Sequence, residues 1–359
     1  MSTALNDLSR LPIVQAPMAG GASCPELVGA VCEAGALGFL AGGYKTAGGL
    51  YQEIKQVRGL TAQPFGVNLF MPPGGLPPDR AAVEVYSHQL AGESNWYETG
   101  LGDPEQGRDD AYDAKLAILL DDPVPVVSFT FGCPDRDALD AFARVGTFTI
   151  VTVTSVEEAR TAERAGAGAI CVQGVEAGGH QGTHRDDLPG DAGGGRGLLA
   201  LLADVREHVR LPVVATGGIM RGRQIAAVLA AGADAAQLGT AFLVCPESGA
   251  HPLHKRALTD PLFTHTELTR AFSGRPARGL VNRFLREHGP YAPAAYPEVH
   301  HLTAPLRKAA ATAGDPQGMA LWAGQGHRLA RELPAGRLVE VLAAELGTAL
   351  NDLVQRNQS

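Results

Sequence analysis

No two cysteines in this chain are spaced Cys-x-x-Cys, and the five present (Cys24, Cys32, Cys133, Cys171 and Cys245) make an odd number. That pattern excludes a disulfide framework and a structural zinc site, and it fits a reducing, cytoplasmic setting. No apolar run approaches the ~18–20 residues of a membrane span. The alanine-rich stretch from Ile225 to Cys245 is interrupted by Gly232, Asp234, Gln237 and Gly239. The first eleven residues lack the basic-then-apolar order of a secretory signal. Basic stripes are absent too: the net charge is −8 and the charges are dispersed, which argues against a nucleic-acid partner and against an acidic tail.

What is present is 359 residues, 45% of them hydrophobic, which is enough for one large core or two modest ones. Short apolar runs alternate with helical patterns. Runs at 13–16, 37–41, 65–70, 124–129, 147–153, 169–174, 212–216 and 235–238 read as eight strands. Between them, Thr154-Ser155 is a helix start, and the helix that follows stops at Gly166. Ile225, Val228 and Leu229 mark one buried helix face, with Gly232 as its stop. Repeated strand–helix units imply parallel strands with right-handed crossovers. Eight units in roughly 240 residues match a (β/α)8 TIM barrel of ~250 residues. A doubly wound open sheet is the alternative, but Met18-Ala19-Gly20-Gly21 does not supply its glycine fingerprint.

The expected organisation is α/β. Residues 1–240 form the barrel, with an insertion at 71–122 after the third strand. Residues 241–300 form a small appended subdomain with a hairpin, and 301–359 form C-terminal helices on the barrel. Segments 303–311 and 317–349 both look helical.

Barrel enzymes place their sites at the C-terminal ends of the strands, and the loops after strands seven and eight commonly hold a phosphate. Gly217-Gly218 and Gly239-Thr240 occupy those loops, where bare backbone N–H groups suit a phosphate and Thr240 adds a hydroxyl. Asn68 and Gln173 end otherwise apolar strands, and Gln237 lies in the eighth. Such amides can read the edge of a flat heterocycle. Gln173 is followed by Gly178-Gly179-His180, so glycines deliver one histidine to the mouth. Glu176 is either a base or a brace for this loop. His184 reads as a surface residue. His300-His301 lacks a third ligand for a metal, and no metal is expected.

Gln15-Ala16-Pro17-Met18-Ala19-Gly20, Gly66-Val67-Asn68-Leu69-Phe70, Glu176-Ala177-Gly178-Gly179-His180-Gln181-Gly182, Ala215-Thr216-Gly217-Gly218-Ile219 and Gln237-Leu238-Gly239-Thr240 together resemble the nitronate monooxygenase family, also called 2-nitropropane dioxygenases. The resemblance runs from about residue 12 to 310. It implies an FMN-dependent flavoenzyme that oxidises alkyl nitronates, such as propionate 3-nitronate, with O2 to a carbonyl compound and nitrite, a detoxifying reaction. It places FMN on Met18, Asn68, Gln173, Gly178, Gly179, Gly217, Gly218, Gln237, Leu238, Gly239 and Thr240, and gives the catalytic role to His180. Thr130 stands where some members carry a second histidine, and Tyr291 and Tyr296 are candidates for the pocket's tyrosines. An FMN-dependent enoyl-thioester reductase and a non-catalytic nucleotide-binding barrel are the alternatives. The expected partners are a small nitronate and O2, with no nucleic acid and no membrane, and a homodimer is a candidate assembly.

Overall fold

A computed structural model describes residues 5–74, 78–185 and 195–356. Eight parallel strands form the central sheet: β1 (Ile13–Gln15), β2 (Phe39–Ala41), β3 (Gly66–Phe70), β4 (Val126–Thr130), β5 (Phe148–Val153), β6 (Ala169–Gln173), β8 (Val213–Thr216) and β9 (Ala235–Leu238). The two-residue strand β7 (Gly179–His180) lies outside it. The hydrogen-bonded order is β1-β9-β8-β6-β5-β4-β3-β2. The ends meet through a single bridge, Val14 to Leu37. This is the expected (β/α)8 barrel, nearly closed.

Side chains alternate in direction along a strand, so every second residue enters the barrel. Val14, Phe39, Val126, Ile150, Cys171 and Val214 enter it and form one apolar cluster. Leu5 and Leu8 from the N-terminal segment join that cluster and seal the barrel floor. The alternate residues, including Ile13, Leu40, Val127, Val151, Ile170 and Val213, pack outward against the helices in the main core. The long helix Ala335–Arg356 adds Leu338, Val339, Leu342 and Leu346 to this shell.

Two further strands, β10 (Thr266–Thr269) and β11 (Ala277–Leu280), form the antiparallel hairpin, and β7 pairs with β11 to make a three-stranded sheet. The stretch 71–122 carries three helices, Arg80–Gln89, Ala91–Trp96 and Tyr112–Asp121. The structure departs from the sequence reading at 317–334, which is not helical. Pro316, Gly318, Gly324, Gly326 and Pro334 break it into short turns. It runs as an extended strap instead: the Leu280 N–H bonds the Leu321 carbonyl, and the Ala323 N–H bonds the Arg278 carbonyl.

One side chain reinforces the barrel's seam beside the Val14–Leu37 bridge. Gln15, fully buried, accepts the Phe39 N–H on Oε1 at 3.0 Å, where β1 and β2 have parted. Its Nε2 donates to the Ser23 hydroxyl at 2.9 Å and to the Ala16 carbonyl. Replacing Gln15 with leucine leaves the Phe39 N–H buried and unpaired, a cost of about 1–3 kcal/mol. Urea unfolding of Gln15→Leu should show a loss in that range, and a loss within error of zero would contradict the seam assignment.

Candidate active site

Inward-facing positions change character along the strands. At the floor they are apolar; at the C-terminal ends they are Asn68 and Phe70 of β3, Ser128 and Thr130 of β4, Thr152 of β5, Gln173 of β6, Thr216 of β8 and Gln237 of β9. All of these line one cavity of about 380 Å³ at the barrel mouth. Its size lies within the range of small-molecule and cofactor sites. The same cavity is lined by Met18, Gly178, Gly179, His180, Gly217, Gly218, Leu238, Gly239 and Thr240, so every residue expected to hold FMN or to act in catalysis borders it. The side chain of Leu238 belongs to the core between barrel and helices.

The polar groups are not all equally available. Asn68 donates its amide to Ser128 Oγ and Thr130 Oγ1, both at 3.0 Å, and its Oδ1 has no partner among the described residues. Thr130 therefore orients Asn68. Gln173 is occupied at both ends: Nε2 donates to the His180 carbonyl at 3.2 Å, and Oε1 accepts the Gly182 N–H at 2.7 Å. It clamps the loop that carries His180. Gln237 has no side-chain partner among the described residues and keeps its whole amide for a ligand.

Across the mouth, Gly217 (φ +136°) and Gly218 (φ +68°) adopt left-handed backbone conformations that disfavour a Cβ. Thr240 Oγ1 accepts the Gly324 N–H at 2.9 Å, which leaves its own hydrogen free to donate. Gly178 is a glycine for a packing reason, because a Cβ there would stand 2.5 Å from the Gly324 nitrogen of the strap. Glu176 proves to be a brace: its carboxylate accepts the Leu198 N–H at 2.9 and 3.0 Å, at the start of the helix Leu198–His208. His184 is not simply on the surface, since its ring bonds the Thr152 carbonyl at 2.8 Å.

His180 stands in an aromatic enclosure. The rings of Phe131, Tyr296 and Trp322 lie 5.7, 5.7 and 5.6 Å from its own. Its Nε2 is 2.8 Å from the Ser273 hydroxyl. The same hydroxyl lies 3.2 Å from the Arg275 carbonyl, and the ring nitrogen that carries the proton depends on which of the two the hydroxyl donates to. Burial, with Arg275 and Arg307 nearby, pushes the His180 pKa down to about 3, so the ring is neutral at ordinary pH.

Sequence reasoning missed Ser273, Tyr44, Phe131, Arg307 and Trp322, and considered His300 only as half of a metal pair. Tyr44 (φ +65°) and Phe131 (φ +77°) hold left-handed conformations rare for bulky residues, a strain that gathers at functional sites. Tyr44 stacks on His300 at 4.1 Å. Of the two candidate tyrosines, Tyr296 reaches the enclosure and Tyr291 is exposed at the surface. His300 and His301 diverge, His301 bonding the Gly107 carbonyl outside the site.

A (β/α)8 barrel with a polar-mouthed cavity, glycine turns after β8 and β9 and a neutral histidine at the strand ends is the architecture of a barrel enzyme. The family model "Nitronate monooxygenase" matches residues 2–345. A nitronate monooxygenase of Pseudomonas aeruginosa is 43% identical, covering 93% of this chain and 96% of its own. A probable nitronate monooxygenase of Bacillus subtilis is 38% identical, covering 93% and 95%. A crystal structure of nitroalkane oxidase from Streptomyces ansochromogenes superposes with TM-score 0.95 at 74% identity, over 98% of this chain and 100% of that one. FabK from Thermotoga maritima matches at TM-score 0.75 and 27% identity, covering 98% of each chain. The chain belongs to the nitronate monooxygenase family, whose members are oxidoreductases, generally flavin-dependent, acting on small molecules. No helix among the described residues is long and apolar enough to cross a membrane.

Three cavity histidines are held neutral by burial: His180 at about 3, His254 at about 4 and His300 at about 2. Each can protonate once the chain unfolds, so the unfolded state binds more protons below pH 6.5. Stability therefore falls as pH drops from 6.5 towards the folded values, by up to about 1.4 kcal/mol per pH unit for each histidine. His254→Gln should flatten the slope measured between pH 5 and 6 by about one histidine's share. An unchanged slope would show that His254 titrates in the fold as it does outside.

Proposed function

We propose that the protein oxidises alkyl nitronates, of which propionate 3-nitronate is an example, with FMN and O2, giving a carbonyl compound and nitrite. The observation that carries this reading is the pairing of a neutral, positioned imidazole with unpartnered amide groups and a glycine cradle in one cavity. The cradle of Gly217, Gly218, Gly239 and Thr240 would take the FMN phosphate. Asn68 Oδ1 and the Gln237 amide would meet the ring edge, with Met18, Gln173, Gly178, Gly179 and Leu238 along the cofactor's length. FMN supplies electron transfer from the substrate to oxygen. This chain's residues supply the rest: the aromatic enclosure excludes water, and the strap 321–325 fixes the cradle through Thr240 and Glu176.

A nitronate is already deprotonated at carbon and needs no base. A neutral imidazole keeps one ring nitrogen without a proton and could still act on a protonated substrate. That arrangement, together with the nitroalkane oxidase named above, supports a second reading in which neutral nitroalkanes are also used, with His180 taking the α-proton.

The test is nitrite release by the purified protein under oxygen, with the visible spectrum recorded. The native chain should be yellow and should release nitrite from propionate 3-nitronate. His180→Asn should retain FMN and lose about 10²–10⁴-fold in activity on a neutral nitroalkane, the usual worth of a general base. A smaller loss on the nitronate would separate the two roles. A protein that cannot be reconstituted with FMN, or a His180→Asn variant with unchanged turnover on both substrates, would overturn the assignment.

A further inference from the structure

One charged side chain at the cavity has no use in the reaction as described. Arg307, on the helix Glu298–Thr312, lines the mouth. Long helical side chains lean towards the N-terminus, and Arg307 folds back two turns. Its Nη2 donates to the His300 carbonyl at 2.8 Å and approaches His300 Nδ1 at 3.4 Å, while Nε donates to Thr303 Oγ1 at 3.2 Å. All of these acceptors are neutral. Among the described residues Nη1 has no partner, and no ion pair includes Arg307. The carboxylate of Asp110, in the same corner, is taken by Lys115 at 2.7 Å and by the Tyr44 N–H at 2.9 Å.

A guanidinium does not shed its proton when buried. Its surroundings lower its pKa and leave a half-buried positive charge at the wall of a cavity. Such a charge is costly unless an anion meets it. The position fits an anion on the substrate rather than the cofactor phosphate. Tyr44 and Phe131, which follow β2 and β4, lie in this corner, whereas the glycine cradle follows β8 and β9 on the other side of the barrel. The rings of His300 and Tyr296 link Arg307 to His180: Tyr296 lies 6.4 Å from His300 and 5.7 Å from His180.

Building on the nitronate reading, we infer that Arg307 receives a second anionic group of the substrate, a carboxylate a few atoms from the nitro-bearing carbon. Arg307 is thus a specificity residue: it selects nitro acids over plain nitroalkanes. Its fork of N–H donors matches a carboxylate in two-point contact.

The test compares 3-nitropropionate with 1-nitropropane, which differ by a carboxylate in place of a methyl group. Isothermal titration of the FMN-loaded native protein should show at least tenfold tighter binding of the acid. Arg307→Met should abolish that preference, and Arg307→Lys should keep most of it. In turnover, the ratio of kcat/KM for the two corresponding nitronates should fall at least tenfold in Arg307→Met, through KM. Equal affinity of the native chain for both ligands, or equal shifts for both in Arg307→Met, would overturn the inference. If Arg307→Met does not fold, the native pair and Arg307→Lys still decide it. A native chain that oxidises neither nitronate would end the functional reading alone, because the titration needs no turnover.

Discussion

A strand in a closed barrel can send only alternate residues inward, and only the last one or two of these reach the mouth. Everything at this site follows from that limit. No single strand can build a binding surface, so Asn68, Thr130, Thr152, Gln173, Thr216 and Gln237 come one or two at a time from six strands. Their register is set by the hydrogen-bond ladder. A slip of one residue would send these amides and hydroxyls into the helix shell and bring valines into the mouth. The apolar floor sealed by Leu5 and Leu8 holds that register from below, and the Gln15 side chain holds it at the seam.

The barrel supplies polar edges and a cradle but no titratable group of its own at the mouth. His180, Tyr296, His300 and Arg307 all arrive from segments outside the eight strands. Gln173 is the exchange point between the two sets. It is a barrel residue by position, yet both ends of its amide are spent on the loop of His180. The enclosure of Phe131, Tyr296 and Trp322 then does to the imidazole what burial does to any base: it removes the water that would stabilise its charged form. The result is a neutral histidine whose ring is held by Ser273.

The eight strands were legible because apolar runs and glycine stops recur with a fixed rhythm. Asn68, Gln173 and Gln237 stood out for the same reason, as polar breaks in that rhythm. Thr130, Thr152 and Thr216 were less visible, since threonine is common in strands and signals nothing alone. Their inward phase, counted by twos from Asn68 and Gln173, would have found them. Ser273 and Arg307 gave no local signal at all, and His300 stood out only as part of a histidine pair without a third metal ligand. They approach His180 only through the pairing of β7 with β11 and the docking of the helix Glu298–Thr312, contacts 93 or more residues apart in sequence. The strap at 317–334 was misread as helix because its apolar residues are spaced acceptably, while its prolines and glycines were given too little weight.

β7 is two residues long, yet it belongs to the hairpin's sheet and not to the barrel's. The two walls of the cavity therefore have separate anchors. Sequence drift in the hairpin or in the helix Glu298–Thr312 alters what is presented opposite the glycine cradle while leaving the ladder of eight strands intact. The architecture amounts to a fixed socket with an interchangeable faceplate, and descendants of such a chain can change their diet without relearning how to fold.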